Sequence, residues 1–597
     1  MIFAAYLAEG SATAWREAVA RHARWLGLAV RAGAIPLADG RAFHFTWLGP
    51  ASAPDGEPNR SADDTPVILS ASGSMAPAPE ARTPGDMVRL LGDMRLPAAI
   101  RIGVVPAAGE AVAAVPPAAV EQLYFARVGG GCALSNDLRL MARLASSDLD
   151  EAGVLGLLRY GLTPAPLTLF RNVRRVPVGH LARIAPAVEP ALTRFAVLGD
   201  PSHREAGAAD PEAYIRETLD DILRRVPPSP VVYFSGGVDS ALIAARLTAL
   251  GRNDAILLNY AFGADDEKAR LSGRIARYLG LRLEQMSWNS AEIPAVMGRL
   301  GRDYPFPFSD TALIPGNALA HAAVSLAGAS RTTLHGVGAG ALFGQRLHIR
   351  RLWRPLGWMP TFARRVLAWP YGALGLWRRE SGLERLFSAL RRSAYAPIVH
   401  AMMTEHPMDG IAYTLSPGVR RRLDATVREY VEPLSAGRDY DLLTSVIHQM
   451  YFTSREFSAI VLGPQMAAGV ESVAPFMEPL MMQRGFALTW DEKRPHGVPK
   501  GLLRNLLARS LPPELVPAGG SFLAPQAEIY AHPAMRALIH DVVLAPDNPL
   551  LGFCRPRTVA EMLARLESGR TLAADARKFA WTLVFTSVWL RQVRSQI

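Results

Sequence analysis

Hydrophobic residues along this chain fall into two patterns. In the first third, short apolar runs separated by glycine and proline predict strands. Residues 121–135, EQLYFARVGGGCALS, read as strand, glycine turn and strand. Helical stretches follow over Leu138–Leu144 and Glu151–Tyr160, then a proline-rich loop and a short strand from His180. Residues 50–66 are crowded with Pro, Ser and Asp and predict a surface loop. A polar, small-residue stretch from Leu198 to Ala209 marks a domain boundary near residue 205.

Beyond that boundary strands alternate with helices. Ile215, Leu219, Ile222, Leu223 and Val226 share one helical face over 211–226. Strands are predicted at Val231–Phe234, Ala255–Phe262, Leu281–Met286 and Thr332–Val337, with Asp265 and Asp266 as N-caps of the helix that ends at Gly280. This alternation implies a parallel sheet covered on both faces. From about Arg420 the chain reads as mainly helical.

The sharpest chemical signal lies at the first strand-to-helix junction of this second part, Ser235-Gly236-Gly237-Val238-Asp239-Ser240. Two glycines let the backbone turn tightly and approach an anion without a Cβ in the way. The helix N-terminus then offers free N–H groups and a positive dipole end. Ser235 and Ser240 add hydroxyl donors. Asp239 would repel a bare phosphate, so its role is to hold Mg²⁺ bridging phosphates. A capped structural turn is the competing reading. No G-K-[ST] follows, so this is not a Walker A loop.

Composition narrows the class. The chain has 597 residues, ample for more than one domain. Two cysteines, Cys132 and Cys554, exclude a disulfide scaffold and a cysteine zinc site. His44, His180 and His335 show no metal spacing. The N-terminus lacks a basic region before its apolar residues, and no apolar run is long enough to span a membrane, so a cytoplasmic location is expected. The net charge is +11, and 11 arginines against Glu380 and Glu384 lie between Arg346 and Arg392. No helix-turn-helix, RRM or zinc-finger pattern accompanies them, which argues against nucleic acid. Trp353, Trp358, Trp369 and Trp377 lie among these arginines. The segment reads either as a packed helical insertion or as a docking face for a peptide substrate, a partner protein or a membrane surface.

The six-residue loop resembles the pyrophosphate loop of ATP-pyrophosphatases, and its surroundings resemble the asparagine synthetase class, which includes β-lactam synthetases and lasso-peptide cyclases. ALSNDLRLMARL, the stretch ending in Pro177-Val178-Gly179-His180, Pro307-Phe308-Ser309-Asp310, Leu334-His335-Gly336, Glu471 to Glu478, Lys500-Gly501-Leu502-Leu503-Arg504 and Leu511-Pro512-Pro513-Glu514 are similar to that class, in its order. The resemblance implies an N-terminal Ntn-hydrolase-like α/β/β/α sandwich over 1–205. It implies an ATP-pyrophosphatase domain over 206–597 with a parallel sheet and a helical C-terminal part. It further implies ATP and Mg²⁺ as cofactors, a small-molecule or peptide carboxylate as substrate, and carboxylate adenylation followed by amide formation. By carry-over, Ser235, Gly236, Gly237, Asp239 and Ser240 hold pyrophosphate and magnesium. The backbone near Tyr233, Tyr260 and Gly336 frames adenine and ribose, and Asp310 is an acidic residue of the same cleft.

The sequence departs from the class at four places. Ile2 stands where glutaminases carry a cysteine nucleophile, so glutamine hydrolysis is not expected and the first domain is expected to be structural. A second magnesium aspartate of the class falls at Gly340, an orienting position at Val337, and a charge-stabilising lysine at Gly519; Lys493 or Lys500 could substitute for that lysine, but neither sits at the matching position. Three functions remain: an amide ligase that does not use glutamine, such as a lasso-peptide cyclase; an asparagine synthetase fed by free ammonia; and an impaired nucleotide-binding scaffold.

Overall fold

The computed structural model describes residues 1–7, 12–50, 65–70, 74–92, 99–117, 119–145, 148–185, 188–198, 210–263, 265–344, 359–393, 406–435, 446–447, 463–518 and 524–597. The loop expected at 50–66 lies almost wholly outside them, as do the proposed boundary at 205/206, Trp353, Trp358 and Gly519.

Twelve strands form two antiparallel six-stranded sheets before residue 195. The first, in order β10-β8-β9-β1-β3-β2, combines β1 (Ile2–Leu7), β2 (Ala29–Pro36), β3 (Ala42–Gly49), β8 (Leu123–Val128), β9 (Gly131–Ser135) and β10 (Arg174–Val176). The second, β12-β11-β7-β6-β4-β5, combines β4 (Val67–Ser70), β5 (Met75–Pro77), β6 (Arg101–Val105), β7 (Glu110–Val115), β11 (His180–Ile184) and β12 (Ala191–Arg194). Side-chain alternation builds the layers. In β1, Phe3, Ala5 and Leu7 enter an inter-sheet core with Phe43, Trp47, Ile102 and Ala113. Ile2, Ala4 and Tyr6 face the other way, in the core that includes Trp15 and Val19 of α1 (Thr13–Leu26). In β7, Val112 and Ala114 pack on Met87 and Leu91 of α2 (Pro84–Leu91). The result is an Ntn-hydrolase-like α/β/β/α sandwich.

The second part is built on a parallel sheet of order β15-β14-β13-β16-β17, with β13 (Val231–Tyr233), β14 (Ile256–Ala261), β15 (Arg282–Ser287), β16 (Thr332–Leu334) and β17 (Glu471–Val473). The predicted strands are present. The fifth, β17, was hidden in a stretch read as helical, because three residues pairing with β16 leave no periodic signal. The connecting helices are α3 (Leu138–Ala145) and α4 (Glu151–Tyr160) in the sandwich. Then come α5 (Pro211–Arg224), α6 (Val238–Ala249), α7 (Glu267–Leu279), α8 (Glu292–Gly298), α9 (Leu300–Asp303), α10 (Leu313–Ala327) and α11 (Ala339–Phe343). Asp266 caps α7 by accepting from Lys268 and Ala269 N–H, whereas Asp265 is exposed and pairs with Arg270. This architecture is the ATP-pyrophosphatase fold.

The two parts share one core. Trp589 of the C-terminal helix Ala574–Arg594 lies against Phe170 and donates to Tyr304 O at 2.8 Å. Arg139, from ALSNDLRLMARL, pairs with buried Asp137 and donates to Gly301 O and Arg302 O across the interface. Asp137 also takes His22 at 3.2 Å. The Arg139 and His22 partners hold the Asp137 carboxyl well below the usual range against its burial.

Candidate functional site

The sheet changes direction at β13. The chain runs from β13 outward through β14 to β15, then returns to place β16 on the other side. Such a switch point opens a crevice at the carboxyl ends of the two diverging strands. The Ser235–Ser240 loop leaves β13 there, and Gly336 follows β16. The two meet: a Cβ on Gly336 would lie 2.8 Å from Asp239 Cβ and 3.2 Å from Ser240 N. Only glycine permits this approach.

The loop is held from beneath. Phe234 N–H donates to Leu258 O at 2.7 Å, and buried Asn259 donates to Phe234 O at 2.7 Å and to Ser272 Oγ at 3.1 Å. Gly236 has φ +67°, and a Cβ there would collide with Ser272 Oγ of α7. Gly237 then begins α6 with extended φ and ψ and no side-chain cap. The first N–H groups of α6 are therefore not capped by the Gly237 side of the turn. Ser235 is exposed, its Oγ accepting from Gly237 N–H at 3.3 Å. Ser240 is buried and donates to Gly237 O at 3.3 Å.

Asp239 carries the strongest electrostatic contact of the loop. Its Oδ2 receives Lys500 Nζ at 2.5 Å, while its buried Oδ1 has no hydrogen-bond partner. Lys500 adopts a left-handed backbone, φ +55°, and opens the helix Gly501–Ala508; its N–H donates to Phe343 O at 3.2 Å. A buried carboxylate oxygen left unpartnered beside a glycine-rich strand-to-helix turn is a donor that would suit a divalent cation. Among the described residues, no group of three His, Cys, Asp or Glu side chains forms a metal cage.

The remaining predicted residues divide. Tyr233 stacks on His335 with centroids 4.3 Å apart and accepts from Gln465 Nε2 at 2.6 Å. Burial holds the His335 imidazole neutral, its pKa lowered to about 3. Tyr260 is the penultimate residue of β14, and its hydroxyl donates to Glu292 at 3.2 Å. Asp310 accepts from Ala312 N–H at 2.8 Å at the start of α10, and Trp581 donates to its carbonyl at 2.5 Å. Val337 packs with Ala474, Met477 and Val120, an apolar setting. Lys493 is buried with its ammonium 5.2 Å from the Trp490 ring, so Lys500 is the lysine that reaches the loop.

Sequence reasoning had weighed Lys500 only as a stand-in for another position, since its contact spans 261 residues. Asn259 was missed; its signal is a lone amide inside the apolar strand ILLNYA. Ile2 is buried on β1 opposite Leu48. Cys132 is buried, its thiol pushed up to about 12, as expected of a core residue. Two cavities lie away from the loop. One of about 50 Å³ lies between the sandwich and the Phe306-Pro307-Phe308 segment; the other, about 730 Å³, is lined by arginines. Residues 215–591 match the family model described as asparagine synthase. No curated protein matches the chain.

Proposed function

The chain belongs to the asparagine synthase family, and from that premise we propose that it is an ATP-dependent, AMP- and pyrophosphate-forming amide ligase that does not draw ammonia from glutamine. The family supports an ATP-dependent amidoligase; the narrower reading rests on this chain's own residues. One observation carries it: Asp239 holds Lys500 on one carboxylate oxygen and leaves its other, buried oxygen without a partner, at the mouth of a glycine loop on a sheet switch point.

In this reading the loop backbone, the start of α6 and the Ser235 and Ser240 hydroxyls bind the diphosphate of ATP. Bound Mg²⁺ supplies neutralisation of phosphate charge. Asp239 offers its free oxygen toward that charge, and Lys500 orients Asp239. Lys500 also sets a fixed cation where charge gathers as the diphosphate leaves the adenylated carboxylate, the role the sequence had placed at Gly519. Tyr233, Tyr260 and Gly336 lie at the ends of β13, β14 and β16, where a nucleoside would extend from the loop. Asp310, just before α10, is the acidic group proposed for the same cleft.

Ile2 bears on the source of the amine. An alkyl side chain buried in β1 cannot attack an amide, so the amine comes from the substrate itself or from a partner. Closure of a peptide macrolactam is the narrowest form of this reading.

Pyrophosphate release by the purified protein with ATP, Mg²⁺ and a panel of carboxylates tests it. Release that needs a carboxylate, with no glutamate produced from added glutamine, is the expected result. No release with any carboxylate, together with no ATP binding by calorimetry, would remove both ligase readings; ATP binding without release would leave the impaired nucleotide-binding scaffold, the reading that the apolar packing of Val337 favours. Aspartate-dependent AMP formation with ammonium would instead identify an asparagine synthetase.

A further inference from the structure

The arginine-rich segment, so far without a role, folds where it is described as two helices, Thr361–Ala373 and Gly382–Ser393, packed on each other through Ala368, Phe387 and Leu390. The pair is fixed to the body by buried Tyr371 and Trp377, by Arg378 on Glu561 and by Arg392 on Asp575. Its outer side differs from the other described surfaces. Of the 13 large hydrophobic side chains exposed among the described residues, seven lie between 362 and 386. Phe362, Val366 and Trp369, at helical spacing on one face, are 72%, 68% and 65% exposed, and Leu374 and Leu383 are comparably bare. Trp377 packs as a core residue, and Arg364 is buried and takes no part in this face.

Beside this ridge lies the cavity of about 730 Å³, lined by Arg365, Arg378, Arg391, Arg420 and Arg555 and sharing Trp369 with the ridge. Among the described residues, carboxylates that face these guanidinium groups include Glu561 on Arg378, Asp409 on Arg420, and Asp424 close to Arg420 and Arg365. Arg391 donates to the carbonyls of Pro407 and Asp409, and Arg555 to that of Gly410. Residues 359–393 carry seven arginines against Glu380 and Glu384.

We infer that this face docks on an anionic lipid bilayer. Side chains left about two-thirds bare form a ridge that enters a continuous apolar phase, whereas a peptide groove would shelter them. The basic cavity beside the ridge complements phosphate headgroups, and Trp369 sits at the junction, where an aromatic ring suits the membrane interface. Attachment is peripheral, since no described helix is long and apolar enough to cross a membrane. This inference does not depend on the ligase reading.

Flotation of the full chain with vesicles tests it. The protein is expected to float with phosphatidylcholine vesicles containing one third phosphatidylglycerol, to ignore pure phosphatidylcholine, and to be released by high salt but not by inorganic phosphate. The combined Phe362→Ser, Val366→Ser and Trp369→Ser variant, and separately Arg365→Glu with Arg555→Glu, should each weaken flotation about tenfold or more. The exposed positions make the serine variant a fold-neutral change, checked by an unchanged melting transition; should either variant misfold, the salt and lipid dependence of the unaltered chain decides. Failure to float, or flotation that the serine variant leaves unchanged, overturns the proposal. So does binding of an acidic amphipathic peptide, or a dimer abolished by the serine variant, without vesicle binding.

Discussion

Lys500 Nζ lies 2.5 Å from Asp239 Oδ2, so the residue that opens the helix Gly501–Ala508 reaches back to the first turn of α6. The pair ties the glycine loop to the C-terminal part of the chain. Its lysine holds a left-handed backbone, which costs an L-residue about 1–2 kcal/mol. Replacing Lys500 by Ala should lower pyrophosphate release about a hundredfold or more, the loss typical of one preorganised charge partner. Lys500→Gly should be equally inactive yet more stable than Lys500→Ala by about 1 kcal/mol, because only glycine relieves φ +55°. Equal stability of the two variants in urea titration would contradict this account.

The loop glycines should not tolerate a methyl group. In Gly236→Ala the new Cβ meets Ser272 Oγ at a positive φ. In Gly336→Ala it meets Asp239 Cβ at 2.8 Å. Gly236→Ala is expected to destabilise the fold by about 1–3 kcal/mol. Gly336→Ala is expected to act chiefly on ATP affinity, by pushing Asp239 away from the crevice. Calorimetric titration with ATP and Mg²⁺ separates the two effects.

Asp137 is buried against Arg139 and His22, and Arg139 in turn holds the Gly301 and Arg302 carbonyls. Asp137→Asn leaves that guanidinium buried without its counter-charge. Loss of one partner of such a pair costs about 3–5 kcal/mol. The loss should appear as a lowered midpoint in urea unfolding, with the two parts of the chain still unfolding together because Trp589 and Phe170 keep one core.

Acid should destabilise the protein through its buried histidines. His335 titrates near 3 when folded, and burial also lowers His22. Both folded values lie below the unfolded value of about 6.5. Protons therefore bind the unfolded chain more readily. Stability is full above that pH and falls as the pH drops from about 6.5 toward 3, by about 1.4 kcal/mol per pH unit for each histidine that stays neutral. Urea midpoints measured between pH 7 and pH 5 should show this slope, and His335→Asn should flatten it.

Much of this was legible in the chain because it is local. The strand β13, the turn and α6 occupy adjacent residues, so apolar run, paired glycines and helix pattern could be read together. The same holds for β8 and β9 around their glycine turn and for the face Ile215, Leu219, Ile222 and Leu223 of α5, all buried as predicted. What failed was non-local or too short to be periodic. β17 has three residues and exists only as a partner of β16. Asp265 and Asp266 look alike in sequence, yet only Asp266 meets the open N–H groups of α7.

Neighbouring residues were enough to specify the two layered architectures and the glycine-rich strand-to-helix turn, because strand and helix periods and glycine freedom are local properties. Tertiary structure alone decided which cation meets Asp239, which oxygen stays open, that Arg364 and Trp377 are core while Phe362 and Trp369 stand bare, and that Val337 faces apolar side chains. Those outcomes depend on which distant segments the sheet order and the shared core bring to one place, and side-chain chemistry along the chain carries no record of that distance.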